Sequence, residues 1–276
     1  MNTDARALRD VFFLTCGVFI APAPVVLPLG QRTFSTVKLS NTVAVAVRPD
    51  GDLILVDAGW STGTCATPAR SLGRFGALAL GVRVRAEDAI VEQLRRLGFE
   101  PGRVRAIFAT HLHLDHAGGV DDFPNAEVVV SQAELKAYWD APGPVYRARD
   151  LARAGRIRAV ALDETPSYGF PGSADPLGDG RVVMLDASGH TPGSVAVAIR
   201  GPRGTFVHVG DAAYQRWEYG ASPKGPGLLG TALAWSRPGL ARTLDCIRAC
   251  EADPRRPVVV SSHDADVFKT LPHGPT

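Results

Sequence analysis

A chain of 276 residues that is 45% hydrophobic and 21% charged has room for a large buried core and is too apolar for a disordered segment. A formal net charge of +2 is too weak a field to call for nucleic acid or an anionic membrane as partner. Four cysteines without paired metal spacing exclude a disulfide-stapled scaffold and read as free thiols of a reducing, cytoplasmic compartment. Residues 11–29 are apolar enough to imitate a signal-peptide core, but Pro22, Pro24 and Pro28 would break a spanning helix. The segment therefore predicts a strand running into a proline-rich loop. Residues 43–47 and 53–56 are β-branched runs flanking Arg48-Pro49-Asp50-Gly51-Asp52, the pattern of a hairpin. Residues 87–97 place Ile90, Val91, Leu94 and Leu97 at helical spacing, end at Gly98, and feed a strand at 104–109. A strand at 127–130 precedes Ser131-Gln132-Ala133-Glu134, a capping-box pattern for a helix reaching Trp139. Strands at 182–185, 194–199, 205–209 and 257–260 and a helix at 240–250 complete the regular elements. Residues 141–180 and 217–239 are rich in Gly, Pro and Ser and predict irregular functional loops. Strands in both halves, each followed by helices and with no linker between them, predict one domain over 1–276 in which two sheets pack face to face under outer helices.

The strand at 104–109 runs into His111-Leu112-His113-Leu114-Asp115-His116. Three imidazoles and a carboxylate in six residues are costly to bury unless each finds a partner, which points to a metal rather than to packing. Single donors recur wherever another predicted strand meets a turn: His190 in Ser188-Gly189-His190-Thr191-Pro192-Gly193, Asp211 in Gly210-Asp211-Ala212-Ala213-Tyr214, and His263 in Ser261-Ser262-His263-Asp264. Imidazole and carboxylate donors suit zinc, and also iron, manganese or cobalt. A divalent ion held by such donors lowers the pKa of bound water toward about 7 and polarises a carbonyl or phosphoryl oxygen, so the predicted chemistry is hydrolysis.

The order HxHxDH, GHTPG, GD, SHD spans most of the chain and resembles the metallo-β-lactamase fold superfamily. The resemblance implies an α/β (α+β) fold, an αββα sandwich with a two-metal site at the edge between its sheets. Carried over position by position, His111, His113 and His190 would hold one ion, Asp115, His116 and His263 the other, and Asp211 would bridge them. Asp57, in Leu55-Val56-Asp57-Ala58-Gly59, matches an early family motif whose carboxylate orients a ligand imidazole. The bridging Asp211 argues against true β-lactamases. Tyr214, three residues after it, is similar to the tyrosine that faces the substrate carbonyl in the N-acyl homoserine lactone lactonases. The mechanism so implied is attack of a metal-bridging hydroxide on a lactone carbonyl, with Tyr214 donating to the oxyanion and Asp115 passing a proton to the leaving ring oxygen. One departure is Ser194, where many relatives carry another histidine.

The implied partner is a small lactone, with neither nucleic acid nor membrane, and the oligomeric state is left open between monomer and homodimer. Enzyme alternatives on the same metals are a thioesterase resembling glyoxalase II and a phosphodiesterase or organophosphate hydrolase; the non-enzyme alternative is a metal-stabilised interaction domain. A glyoxalase-like C-terminal helical part is not expected, because only a short tail follows His263. His208, alone within a strand, reads as a core or edge residue, and His273 as a solvated one. The basic run Arg147, Arg149, Arg153, Arg156 and Arg158 is interrupted by Asp150 and reads as a solvated face rather than a nucleic-acid site. Val18, Phe19, Ile20 and Trp217 are candidate walls of an acyl pocket.

Overall fold

The computed structural model describes residues 7–27, 35–73, 77–78, 81–140, 146 and 156–275. In chain order the described strands are β1 (Asp10–Pro22), β2 (Thr36–Val47), β3 (Leu53–Val56), β4 (Val82–Arg83), β5 (Val104–Phe108), β6 (Glu127–Ser131), β7 (Ile157–Val160), β8 (Ser173–Ala174), β9 (Val182–Asp186), β10 (Val195–Gly201), β11 (Gly204–His208) and β12 (Val258–Val260). They form a 7-stranded sheet in the order β4-β1-β2-β3-β5-β6-β7 and a 5-stranded sheet in the order β12-β11-β10-β9-β8. Both are mixed. The first turns parallel from β3 through β5 and β6 to β7, and the second has one parallel pair, β11 with β12.

The period-two alternation of side chains along each strand dictates the layering. Ala44, Ala46, Ile54, Val56 and Phe108 of the first sheet face Val195, Val197 and Ile199 of the second in the inter-sheet core. Phe13 meets Phe206 there edge-on, with ring centroids 5.0 Å apart; truncating either ring to alanine would cost about 3–5 kcal/mol. The intervening residues Val43, Val45, Leu53, Leu55 and Ile107 point the other way, under Ile90, Val91 and Leu94 of the helix Ile90–Arg96. On the far side Ala196, Ala198 and Val207 lie under Leu244 and Ile247 of the helix Arg237–Glu251, whose first turn is capped by Ser236. The result is the predicted αββα sandwich.

The structure differs from the sequence reading in three segments. β7 and β8 lie inside residues 141–180, expected to be irregular; β7 is a half-exposed edge strand, ordered by pairing with β6 rather than by an apolar face of its own. The short helix Leu228–Leu233 lies inside residues 217–239. β2 begins at Thr36 rather than 43, because its first half carries polar residues that hide the strand pattern and turn out to serve the site. Val18, Phe19 and Ile20 lie within β1, the strand expected in residues 11–29. Arg147, Arg149 and Arg153 lie outside the described residues. His208 is buried in the core, its Nε2 3.1 Å from the Thr42 carbonyl, and His273 is exposed, as expected. Among the described residues no helix is long and apolar enough to cross a membrane.

Candidate metal centre

Every predicted donor follows the C-terminal end of a strand, and the strands belong to both sheets. Asp57 follows β3, His111 to His116 follow β5, His190 follows β9, Asp211 follows β11 and His263 follows β12. Short turns from paired strands hold these residues at one edge of the sandwich. Three groups among them have donor atoms within 4.8 Å of one another: His111, His113 and His190; His111, His116 and Asp211; and Asp115, His116 and His263. The seven residues that the sequence selected are thus brought together.

Asp211 is the hinge of the cluster. Its Oδ1 lies 3.1 Å from Nε2 of His116 and 3.1 Å from Nε2 of His263, whereas its Oδ2 lies 3.5 Å from Nε2 of His190 and 4.0 Å from Nε2 of His111. One oxygen therefore faces each pair of imidazoles. Asp115 joins the first pair, its Oδ2 3.6 Å from His116 and 3.7 Å from His263. On the other side Nδ1 of His113 and Nε2 of His190 converge to 3.2 Å.

The backs of the rings are fixed by hydrogen bonds, which settle which nitrogen is free. Nδ1 of His116 donates to Oδ2 of Asp57 at 2.8 Å. The Thr110 hydroxyl donates to that same oxygen at 2.9 Å and accepts from Nδ1 of His111 at 3.1 Å. Nδ1 of His263 donates to the Ser40 carbonyl at 2.6 Å. In all three rings Nε2 is left to point into the cluster. Asp57 holds this place from a backbone of φ +63, a conformation uncommon for a residue other than glycine and anchored here by its amide on the Phe108 carbonyl.

Charge is distributed unevenly. Burial pushes His113 down to about 4 and His190 down to about 3, so both rings are neutral at pH 7. Burial, then the neighbouring His116 and His113, hold His111 well below its ordinary range. Burial also opposes protonation of His116 and His263, but Asp211 and Asp115 outweigh it and both rise. Burial would raise Asp211, yet His263 and His116 hold its carboxyl well below the usual carboxylate range. These carboxylates call for positive charge, supplied either by protons on the two rings or by a divalent cation that releases those protons on binding.

The donor set fits such a cation. Nε2 of His111, Nε2 of His116 and Oδ1 of Asp211 are buried and without an aligned hydrogen-bond partner among the described residues. Buried polar atoms are rarely left so, and a metal satisfies them together. Tyr214 closes the cluster from one side, its ring 5.1 Å from that of His263 and 6.2 Å from that of His190. Burial, then the charge of Asp211, keep the phenol protonated far above neutrality.

The family model described as the metallo-beta-lactamase superfamily matches residues 37–263. The chain belongs to the metallo-β-lactamase superfamily. Among its relatives is a probable metallo-hydrolase of Mycobacterium bovis, Mb2322c, 31% identical over 81% of this chain and 74% of that protein. Another is the N-acyl homoserine lactonase AttM of Rhizobium radiobacter, 30% identical over 68% of this chain and 69% of that protein. Among solved structures, an N-acyl homoserine lactone hydrolase with N-hexanoyl-L-homoserine bound at its catalytic metal centre superposes with a TM-score of 0.75 at 19% identity, covering 98% of this chain and 99% of the other. The protein is a metallo-hydrolase of this superfamily with His and Asp groups able to bind metal.

Sequence reasoning missed the residues that support this centre in the superfamily fold. Ser40 holds His263, and Nδ2 of Asn41 donates to the Asp115 carbonyl at 2.8 Å; both sit in the polar half of β2. Ser131 does accept from the Glu134 amide at 3.1 Å, the expected half of a capping box. The Glu134 carboxylate turns away from the helix end instead and reaches Leu112 and Thr191. Gly193 approaches that helix start so closely that a Cβ on it would lie 2.0 Å from the Glu134 amide nitrogen, which gives the glycine of the GHTPG motif its reason.

The expected acyl pocket is also revised. Of Val18, Phe19, Ile20 and Trp217, Phe19 reaches the centre, meeting the His263 ring edge-on at 5.4 Å. Trp217 lines a separate cavity with Gln215, Arg216 and Glu251. The cavity that opens onto His113 and His190 has a volume of about 510 Å³ and is walled by Ala133, Ala137, Tyr146, Pro192, Leu233 and Trp235. Leu233 and Trp235 are 47% and 65% exposed, leaving apolar surface at its mouth.

Proposed function

We propose that this metallo-hydrolase opens the ring of N-acyl homoserine lactones or related lactones. The observation that carries the reading is the seat of Tyr214, a buried, protonated phenol beside His190 and His263 and three residues after Asp211. The names of AttM and of the superposed lactone hydrolase support it. In this reading His111, His113 and His190 would hold one divalent ion and Asp115, His116 and His263 a second, with the Asp211 carboxylate placed between the two sets of imidazoles. Zinc is the metal we favour, since neutral imidazole and carboxylate are its ordinary ligands. When bound, the ions supply a nucleophile at neutral pH and polarise the scissile carbonyl.

The protein's own part follows from the geometry. The Tyr214 hydroxyl donates to the carbonyl oxygen as it gains charge, a role that matters most in a buried site. Asp115, with a side chain 19% exposed, is the acid that the leaving ring oxygen can reach. Asp57, through His116 directly and through Thr110 to His111, fixes the rings so that no reorganisation accompanies the reaction. The apolar cavity beside His113 accepts the substrate's uncharged tail. The four cysteines are free, which suits a cytoplasmic site of action.

The test is a hydrolysis panel of acyl homoserine lactones, simple lactones, a glutathione thioester and a phosphodiester, run on wild type and Tyr214→Phe. Lactone turnover that falls with the hydroxyl supports the reading; best turnover of the thioester or the phosphodiester replaces it with one of those activities.

A further inference from the structure

The helix Gln132–Asp140 contributes no donor to the centre, yet its Glu134 is fully buried against it. The two carboxylate oxygens are divided between two loops. Oε1 accepts from the Leu112 amide at 2.9 Å, between His111 and His113, and from the Tyr146 hydroxyl at 2.9 Å. Oε2 accepts from the Thr191 hydroxyl at 2.5 Å and the Gly193 amide at 3.3 Å, in the turn that carries His190. Beneath it, the Ser131 hydroxyl donates to the Gly193 carbonyl at 2.6 Å. One side chain from a third element thus ties two stretches that lie far apart in sequence, and His113 and His190 meet at 3.2 Å just above the tie.

We propose that Glu134 is a positioning residue that locks the His111–His116 turn to the His190 turn and so sets the metal site formed by His111, His113 and His190. The inference rests on reading those histidines as ligands. All four partners of the carboxylate are donors, which only an ionised carboxylate serves at once. Glutamine presents one oxygen and one NH₂. The Tyr146 and Thr191 hydroxyls can turn to accept, but the Leu112 and Gly193 amides cannot, so one loop is released whichever way the amide is flipped.

The experiment titrates metal-free wild type, Glu134→Gln, Thr191→Val and Tyr146→Phe with Co²⁺, reading visible absorption and competition by Zn²⁺, beside thermal melts of the metal-free forms. In Glu134→Gln, affinity for at least one of the two ions falls about 10–100-fold and the Co²⁺ spectrum shifts, the size usual when the support of a ligand is removed. Thr191→Val and Tyr146→Phe each remove one of the four donors that hold the carboxylate and give smaller losses of the same kind. Wild-type affinity and spectrum in Glu134→Gln overturn the proposal, even if its melting temperature drops, because a merely structural role lowers stability alone. If Glu134→Gln does not fold, unchanged Co²⁺ binding by Thr191→Val overturns it. Wild type that binds no metal refutes instead the ligand reading on which it rests, and lactone turnover does not enter the result.

Discussion

Oδ2 of Asp57 accepts from His116 at 2.8 Å and, through Thr110, orients His111, so a single carboxylate oxygen fixes the tautomers of two of the candidate ligands. Asp57→Asn keeps the shape and removes the charge. We expect a 10–100-fold loss in metal affinity or in turnover at limiting metal, with the fold retained by circular dichroism. Metal content after gel filtration and a metal-dependence curve for kcat measure it. Unaltered metal affinity would leave Asp57 as a turn residue only.

Tyr214→Phe removes the hydroxyl while the ring keeps its packing against His263. On the lactonase reading kcat drops by about 100-fold or more, as when an oxyanion donor is lost elsewhere, and metal stoichiometry stays at the wild-type value. Steady-state kinetics with metal analysis on the same samples separate the two effects. A rise in KM with no change in kcat would assign the tyrosine to ground-state binding.

Trp235 stands at the mouth of the cavity beside His113, its backbone amide bonded to the His190 carbonyl at 2.9 Å. Each methylene buried there adds about 0.8 kcal/mol, close to fourfold in kcat/KM. A series of lactones of increasing acyl length is therefore expected to rise in kcat/KM with wild type and to flatten with Trp235→Ala, while an unsubstituted lactone is turned over equally by both. Parallel slopes would show that the chain lies elsewhere.

Glu218 is buried, and burial raises its carboxyl to about 8, with backbone hydrogen bonds from Tyr214 and Gln215 and the charge of Asp211 as smaller influences. Its pKa is higher folded than unfolded, so the stabilisation it gives is complete below about 4.5 and is lost as pH rises toward 8. The slope over that window is at most about 1.4 kcal/mol per pH unit. Thermal melts of the metal-free protein from pH 5 to 9 are expected to show a decline that Glu218→Gln flattens. A decline of equal slope in the variant would assign it to other groups.

The candidate site was legible where a residue's meaning is local. His111, His190, Asp211 and His263 each stand where an apolar run meets a turn, a pattern visible in one segment at a time. The supports were not, because their meaning lies in contacts that no window contains. Ser40 reaches a residue near the other end of the chain, and Glu134 satisfied a local capping rule while its carboxylate went elsewhere. The layering of two sheets under outer helices was legible from strands in both halves, each followed by helices with no linker between them, and β7 was hidden because an edge strand needs a neighbour more than an apolar face.

His263 is fixed by the Ser40 carbonyl across 223 positions of sequence, and its strand β12 pairs with β11 alone in the second sheet. Closing so long a loop is a late event when a chain collapses. The Asp115, His116 and His263 part of the centre is therefore expected to form last: in refolding with Co²⁺ present, the visible band of an ion held there should lag the tryptophan signal that reports the sandwich. A chain released from synthesis would offer the three-histidine site of His111, His113 and His190 first and gain the His263 side of the centre only once β12 has docked.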